Sequence, residues 1–238
     1  MIINQNMKKL EKKRLEIEKR YKEGTALQKY RNLDFPHNPL QICEINLKIL
    51  FNYFHNEMNK KGYEFHFDNV LITYISNYLS SVKGYLNRKK NTIDKRICVD
   101  SKKDILSIIS KYWKARRNET KLDAVIQIRD KFEHEKIEGI SLQMIFGEDN
   151  ITKYLMLDNY NLLELFRDAY NELAAMDKEI KEFVESKITE CNLRDCIMFK
   201  LSFSKKYNTG FQMLLFPEPT TEEIREYDDL IDSLANEL

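Results

Sequence analysis

A mainly α fold is predicted by three features of the sequence. Only six glycines and four prolines are spread over 238 residues, too few for the many tight turns of a β-sandwich. Apolar residues recur at spacings of three and four along most of the chain, the period of a helix that buries one face. The charged fraction is 32%, and opposite charges fall four residues apart often enough to support exposed helix surfaces.

Met7 to Glu23 sets lysines and arginines against glutamates around Leu10, Leu15 and Ile17. This stretch reads as an exposed helix that ends near Gly24; its excess of positive charge suits a phosphate backbone or plain solvent. Tyr30 to Pro39 reads as a loop, because Pro36 and Pro39 block a helix interior. From Leu40, the residues Ile42, Ile45, Leu47, Ile49, Leu50, Tyr53, Phe54 and Met58 give a core helix with a broad apolar face, ended by Gly62. Asp68 is placed to cap the next helix. Its stripe runs through Leu71, Ile75, Tyr78, Val82 and Leu86 and closes at the basic cluster Arg88-Lys89-Lys90, matched to the negative end of a helix dipole. Ile97-Cys98-Val99 is at most a short extended connector.

Ser101 opens a further helix, with Ile105, Ile109, Tyr112 and Trp113 on its buried side and the basic patch Lys114-Ala115-Arg116-Arg117-Asn118 after it. Leu122, Val125, Ile126, Ile128 and Phe132 carry another helix, and Gly139 and Gly147 bracket a loop. A last long helix is expected from about Asn159 to Ser186. Beyond it the period changes: Ile197–Phe203 and Phe211–Phe216 flank Tyr207-Asn208-Thr209-Gly210, which reads as a β-hairpin. Pro217 and Pro219 stop it, and Thr220 or Thr221 caps a final acidic helix. The expected organisation is a basic helix and loop at 1–39, a helical bundle at 40–188, and a hairpin plus acidic helix at 189–238.

The formal net charge of +1 gives no global pull toward nucleic acid or membrane, so any anion site must be a local patch. Neither G-x-G-x-x-G nor G-x-x-x-x-G-K-[ST] occurs, which leaves no phosphate-cradling loop. No apolar run approaches the ~20 residues of a membrane span, and the amino terminus lacks a signal peptide. The expectation is a soluble, cytoplasmic chain without a membrane partner, its four cysteines reduced.

One stretch carries chemistry: Arg129-Asp130-Lys131-Phe132-Glu133-His134. Cleaving RNA without a metal requires a group that moves a proton at the 2′-hydroxyl or the leaving oxygen, and a group that stabilises negative charge on the phosphoryl. Histidine titrates near neutral pH and suits the first task. Arginine offers a permanently charged fork to phosphate oxygens and suits the second. Asp130, four residues before His134, is placed to orient the imidazole. Residues five apart on a straight helix sit roughly 140° apart in projection. The helix must therefore break between Arg129 and His134, or two copies must share one cleft across a two-fold axis. The plainer reading of the same residues is an Arg129–Glu133 ion pair on a solvated helix, with His134 at the surface.

This spelling resembles the R-x4-6-H motif of the HEPN superfamily, including the polar residue after the arginine, although Asp130 stands where asparagine is commoner. The resemblance covers roughly Leu40 to Lys187. It implies a HEPN-like helical bundle that dimerises and cuts RNA without a metal, at a composite site of Arg129, Asp130 and His134. It also implies a toxin, phage-defence or RNA-processing setting in which a neutralising or activating protein partner belongs. No cofactor and no metal are implied. Arg31-Asn32-Leu33-Asp34-Phe35-Pro36-His37 also falls within the R-x4-6-H range, but too little chain precedes it to build the bundle and Pro36 interrupts any helix.

Other candidates read more plainly. Cys191 and Cys196 lack the second pair that a zinc site needs. His55 and His66 fit core or capping positions. Tyr74, Tyr78 and Tyr85 can stack bases or fill a core. The alternatives to a nuclease are a non-catalytic module on the same scaffold and an adaptor that uses the hairpin edge for strand addition.

Overall fold

A computed structural model of the chain describes residues 3–34, 39–60, 69–96, 99–113, 120–134, 140–146, 151–157, 159–215 and 217–236. The described elements are α1 (Ile3–Asp34), α2 (Pro39–Lys60), α3 (Asn69–Arg96), α4 (Val99–Tyr112) and α5 (Lys121–His134), then strands β1 (Ile140–Phe146), β2 (Ile151–Leu157) and β3 (Tyr160–Asn161), then α6 (Leu162–Cys191), α7 (Leu193–Tyr207) and α8 (Thr221–Asn236). The chain is mainly helical, as its period implies. It divides into two compact units, one of residues 1–32, 96–101 and 182–238, the other of 33–95 and 102–181. Asp68, His37, His66 and Cys98 lie outside the described residues.

In the first unit, Leu10 and Ile17 of α1 pack with Cys196 and Phe199 of α7 and Ile231 of α8, and Tyr21, Phe203, Tyr227 and Leu234 close around them. Helix α1 does not end at Gly24 but continues to Asp34. Gly24 serves closeness instead of termination. A Cβ built on it would lie 2.8 Å from Cys191 Cβ and 2.8 Å from Leu193 Cδ2, so only a hydrogen lets α1 approach the α6–α7 junction. At that junction Asn192 takes the left-handed conformation (φ 42°), and its side chain accepts from the Asp195 N–H, which starts α7.

The predicted hairpin is not formed. Ile197–Phe203 lies inside α7, and residues 209–215 have no regular structure. The turn signal was ambiguous: Asn208 is left-handed at φ 51° and Gly210 at φ 72°, as a tight hairpin would need, but they end a helix. The apolar run Cys196–Phe199 is buried all round, and a short continuous run does not by itself separate a strand from a buried helix turn. An adaptor that recruits through a hairpin edge loses its basis.

Helix α8 is bound to α7 by charge. Arg194 forks onto Glu223 (Nε–Oε1 3.0 Å, Nη2–Oε2 2.9 Å), Lys205 meets Asp228 at 2.9 Å, Lys206 pairs with Asp232, and the Tyr227 hydroxyl donates to Asp195. The cap expected at Thr220 is present in reciprocal form. The Glu223 N–H donates to Thr220 Oγ1 at 3.2 Å, and the Thr220 N–H donates to Glu223 Oε2 at 2.9 Å. With the Arg194 fork as the main cause, the Glu223 carboxyl is held down at about 2.

The second unit holds α2 to α5, the sheet and the first twenty residues of α6. Strands β1 and β2 pair antiparallel from Ile140↔Leu157 to Phe146↔Ile151, and β3 adds to β2 at Leu157↔Tyr160. Here a loop bracketed by Gly139 and Gly147 was expected. Ile-Ser-Leu-Gln-Met-Ile-Phe alternates in the strand period, which outweighs the flanking glycines. Leu155 and Leu157 are buried, two apart on one face of β2. The core collects Leu50, Phe54, Ile75, Tyr78, Val82, Ile105, Val125, Phe166, Met176 and Ile180, all at most 3% exposed. Tyr78 donates to the Phe166 carbonyl at 2.7 Å, so its hydroxyl is satisfied inside that core. Helix α3 does not close at its basic cluster. It runs to Arg96, and Lys89 is 1% exposed.

Candidate functional site

The site begins with what fixes α5. Thr120 caps it: the Asp123 N–H donates to Thr120 Oγ1 at 3.1 Å, while the Thr120 hydroxyl donates to the Tyr112 carbonyl at 3.0 Å. The next two amides, Lys121 and Leu122, donate to the Glu172 carboxylate of α6 at 3.2 and 2.8 Å. A carboxylate on the first turn satisfies orphan donors and faces the positive end of the helix dipole. Leu122, Val125 and Ile128 are buried, which seats the helix on the core. Neither Thr120 nor Glu172 was foreseen from the sequence; the Thr120-x-x-Asp123 spelling is the signal that could have found the cap, whereas nothing local points to Glu172, fifty residues on.

Arg129, Asp130 and Glu133 then fall in the last turns of α5. The Arg129 Nη1 donates to Asp130 Oδ1 at 3.0 Å, and its Nη2 pairs with Glu133. The guanidinium is largely covered, at 21% side-chain exposure, whereas Asp130 and Glu133 are 49% and 41% exposed. The Nε is fully buried and has no hydrogen-bond partner among the described residues. The ion pair that the plainer reading expects is therefore formed, together with a second one to Asp130. Two carboxylates neutralise the fork, and of its five N–H groups three remain outside these contacts, the buried Nε–H and one on each terminal nitrogen.

His134 closes α5; its side chain lies outside the described residues. The helix is unbroken from Lys121 to His134, so the backbone sets positions 129 and 134 about 140° apart around its axis and ~7.5 Å apart along it. The break between Arg129 and His134 that would let one helix aim both side chains at one point is not present.

The remaining candidates resolve into structural roles. Arg31 pairs with Glu185 at 3.3 Å. His55 is exposed on α2, not in the core as one reading expects, with its ring near those of Phe51 and Phe54. Tyr78 and Tyr85 are core residues, and Tyr74 meets Tyr53 edge-on at 5.1 Å. Cys43, Cys191 and Cys196 are buried and free, and burial pushes the Cys43 thiol up to about 11, which suits packing and not nucleophilic work. Among the described residues, no group of three or more His, Cys, Asp or Glu is placed to hold a metal ion. No described helix is long and apolar enough to cross a membrane. No family model, curated protein or solved structure matches this chain.

Proposed function

We propose that this chain is a metal-independent endoribonuclease of HEPN type that acts as a homodimer in a toxin or phage-defence setting. The observation that carries the reading is the placement of Arg129, Asp130 and His134 in the last turns of an unbroken helix, within a mainly helical unit, whose first turn is clamped to α6 by Glu172. Because α5 stays straight, one copy separates positions 129 and 134 around the axis, and a two-fold partner is what lets a fork and an imidazole converge. In that cleft the RNA 2′-oxygen attacks the adjacent phosphorus as its proton passes to a base. The P–O5′ bond breaks with proton return to the 5′-oxygen, leaving a 2′,3′-cyclic phosphate and a 5′-hydroxyl. His134 moves the protons and is worth about 10²–10⁴ in rate. Arg129 stabilises the charged phosphoryl, worth about 10²–10³. The test is RNA digestion in EDTA: wild type cuts, and Arg129→Ala and His134→Ala each lose at least a hundredfold. Cleavage that survives both substitutions would sink the assignment.

A second reading has its own observation. The Asp130 and Glu133 contacts occupy the Arg129 fork, as befits a non-catalytic helical binding module. That reading expects no cleavage by any variant and a fold weakened slightly by Arg129→Ala.

A further inference from the structure

Positive charge is segregated in this chain. Residues 8–31 carry ten lysines and arginines against four glutamates, although the whole chain is at +1. Within α1 that excess is ordered. Lys8, Lys12, Lys19, Lys22 and Lys29 are all exposed and fall inside an arc of about 100°, over ~31 Å of helix. Glu11, the acid at the edge of the arc, is held by the Arg14 fork at 2.8 and 2.6 Å, and Glu16 is held by Lys13 at 3.4 Å. Lys8, Lys12, Lys22 and Lys29 make no ion pair among the described residues. Like charges four apart on a helix are destabilising, and a bound polyanion relieves that repulsion.

Beside the stripe lies a pocket with aromatic walls, built wholly within the first unit. The Phe211 N–H donates to Ser204 Oγ at 2.9 Å, which sets the Phe211 ring edge-on to Tyr21 of α1, with centroids 6.3 Å apart. The Lys200 ammonium lies over both rings, 4.2 Å from the Tyr21 centroid and 4.6 Å from that of Phe211. A cavity of about 290 Å³ opens here, lined by Ile17, Phe199, Phe203 and Phe211 together with Glu18 and Lys200. It is at the small end of ligand pockets, the size for one planar ring system. Glu18 in its wall precedes Lys22 of the stripe by one helical turn, so the pocket and the stripe share one surface.

We infer that this face of the first unit binds single-stranded nucleic acid, with phosphates along the lysine stripe and a base in the pocket. Proteins that hold single strands without reading sequence combine a basic track with aromatic rings on which bases stack. A helix that lies on a membrane needs a broad apolar flank beside its lysines. Between these lysines stand only Leu15 and Ala26 on the same arc, while Leu10 and Ile17 are buried in the core of the unit. An acidic peptide would engage the amines and leave the aromatic pocket idle. The inference goes beyond the proposed function, because it assigns strand binding to residues outside 129–134 and holds whether or not the chain cuts RNA.

Fluorescence anisotropy with a labelled single-stranded DNA of about 16 nucleotides tests it on the full chain. DNA has no 2′-hydroxyl to attack, so its binding reads the same in a nuclease and a non-nuclease. Wild type binds, and the logarithm of its affinity falls with the logarithm of salt at a slope of about −3.5, five phosphate contacts at about 0.7 each. Lys12→Gln combined with Lys22→Gln keeps the circular dichroism of wild type, binds at least tenfold more weakly and brings the slope to about −2. Phe211→Leu fills the same place without a ring to stack on; it weakens binding about fivefold or more and leaves the slope unchanged. No binding by wild type at low salt, a double lysine variant that binds like wild type, or a Phe211→Leu protein of unchanged affinity each overturns the inference. So does a wild type that sediments with phosphatidylserine vesicles and leaves the strand free. A chain that binds through the stripe and cuts no RNA defeats the enzyme and leaves this surface standing.

Discussion

Lys89 of α3 and Asp177 of α6 meet at 2.9 Å in the interior of the second unit, the two side chains 2% and 5% exposed. The Tyr85 hydroxyl donates to the same aspartate oxygen at 2.5 Å, and Lys181 reaches the other at 2.6 Å. Burying two charges costs several kcal/mol each unless geometry and hydrogen bonds compensate. Here three donors converge on one carboxylate. Burial by itself would raise the Asp177 carboxyl, but the charge of Lys89 and the hydrogen bonds from Lys181, Lys89 and Tyr85 outweigh it and hold the group below the usual aspartate range.

Removing one partner of this pair is expected to cost far more than removing both. Asp177→Ala removes the buried carboxylate on which Lys89, Lys181 and Tyr85 converge, and urea unfolding is expected to show a loss of about 3–5 kcal/mol; replacing Lys89 by Met and Asp177 by Leu together is expected to cost far less. The pH dependence follows from the sign of the shift. A carboxyl held down in the fold stabilises it above the unfolded value of about 3.9. That contribution fades as pH falls through the lower folded value. Unfolding free energies measured from pH 6 down toward 2 are expected to fall more steeply for wild type than for Asp177→Asn. Parallel slopes would show that the carboxylate adds nothing.

Two helical glycines, Gly24 and Gly84, are expected to respond to alanine in opposite directions. A methyl at Gly24 presses on Cys191 Cβ at 2.8 Å, a backbone-anchored atom that cannot swing aside, whereas nothing lies within 4 Å of a Cβ at Gly84. Alanine is worth up to about 1 kcal/mol over glycine in a helix interior, and overpacking costs about 1–3 kcal/mol. Gly84→Ala is therefore expected to raise the unfolding midpoint, Gly24→Ala to lower it, and Gly24→Val to lower it further. Equal gains from both alanines would mean that α1 does not pack tightly at the α6–α7 junction.

Gly24 and a few other positions show how much the sequence discloses. Periodicity located the helical segments from Ile42 to Phe183, because a stripe at three and four has one physical reading over a dozen residues. It failed where a local signal has two readings. Gly24 looked like a terminator and is a contact. Asn208 and Gly210 looked like a hairpin turn and are a helix end. Lys89 looked like part of a basic cluster that closes the helix at the negative end of its dipole and is instead buried inside α3, since nothing local announces an aspartate eighty-eight residues away. At the candidate site, residues 129–134 were legible as a helical motif and the Arg129–Glu133 pair followed from spacing. Glu172 was not legible, because only the packing of α6 against α5 brings its carboxylate to the first turn.

The carboxylates around Arg129 offer a way to decide between the two functional readings without abolishing anything. Asp130 and Glu133 hold the guanidinium from two sides and would repel an approaching phosphate. If the fork engages RNA, Asp130→Asn combined with Glu133→Gln removes that competition. Exposed pairs are worth about 0.2–1 kcal/mol each, so binding of a short single-stranded RNA at low salt is expected to tighten roughly two- to tenfold. Releasing the fork to the phosphates also steepens the fall of affinity with salt, because each phosphate contact displaces counterions. A purely structural Arg129 predicts the stability change alone. The double variant would then bind RNA no better than wild type, and it would lose a few tenths of a kcal/mol of stability with the two pairs. Fluorescence anisotropy across a salt series, read beside urea unfolding of the same two proteins, separates the cases, since only one of them moves the RNA curve while both move the unfolding curve.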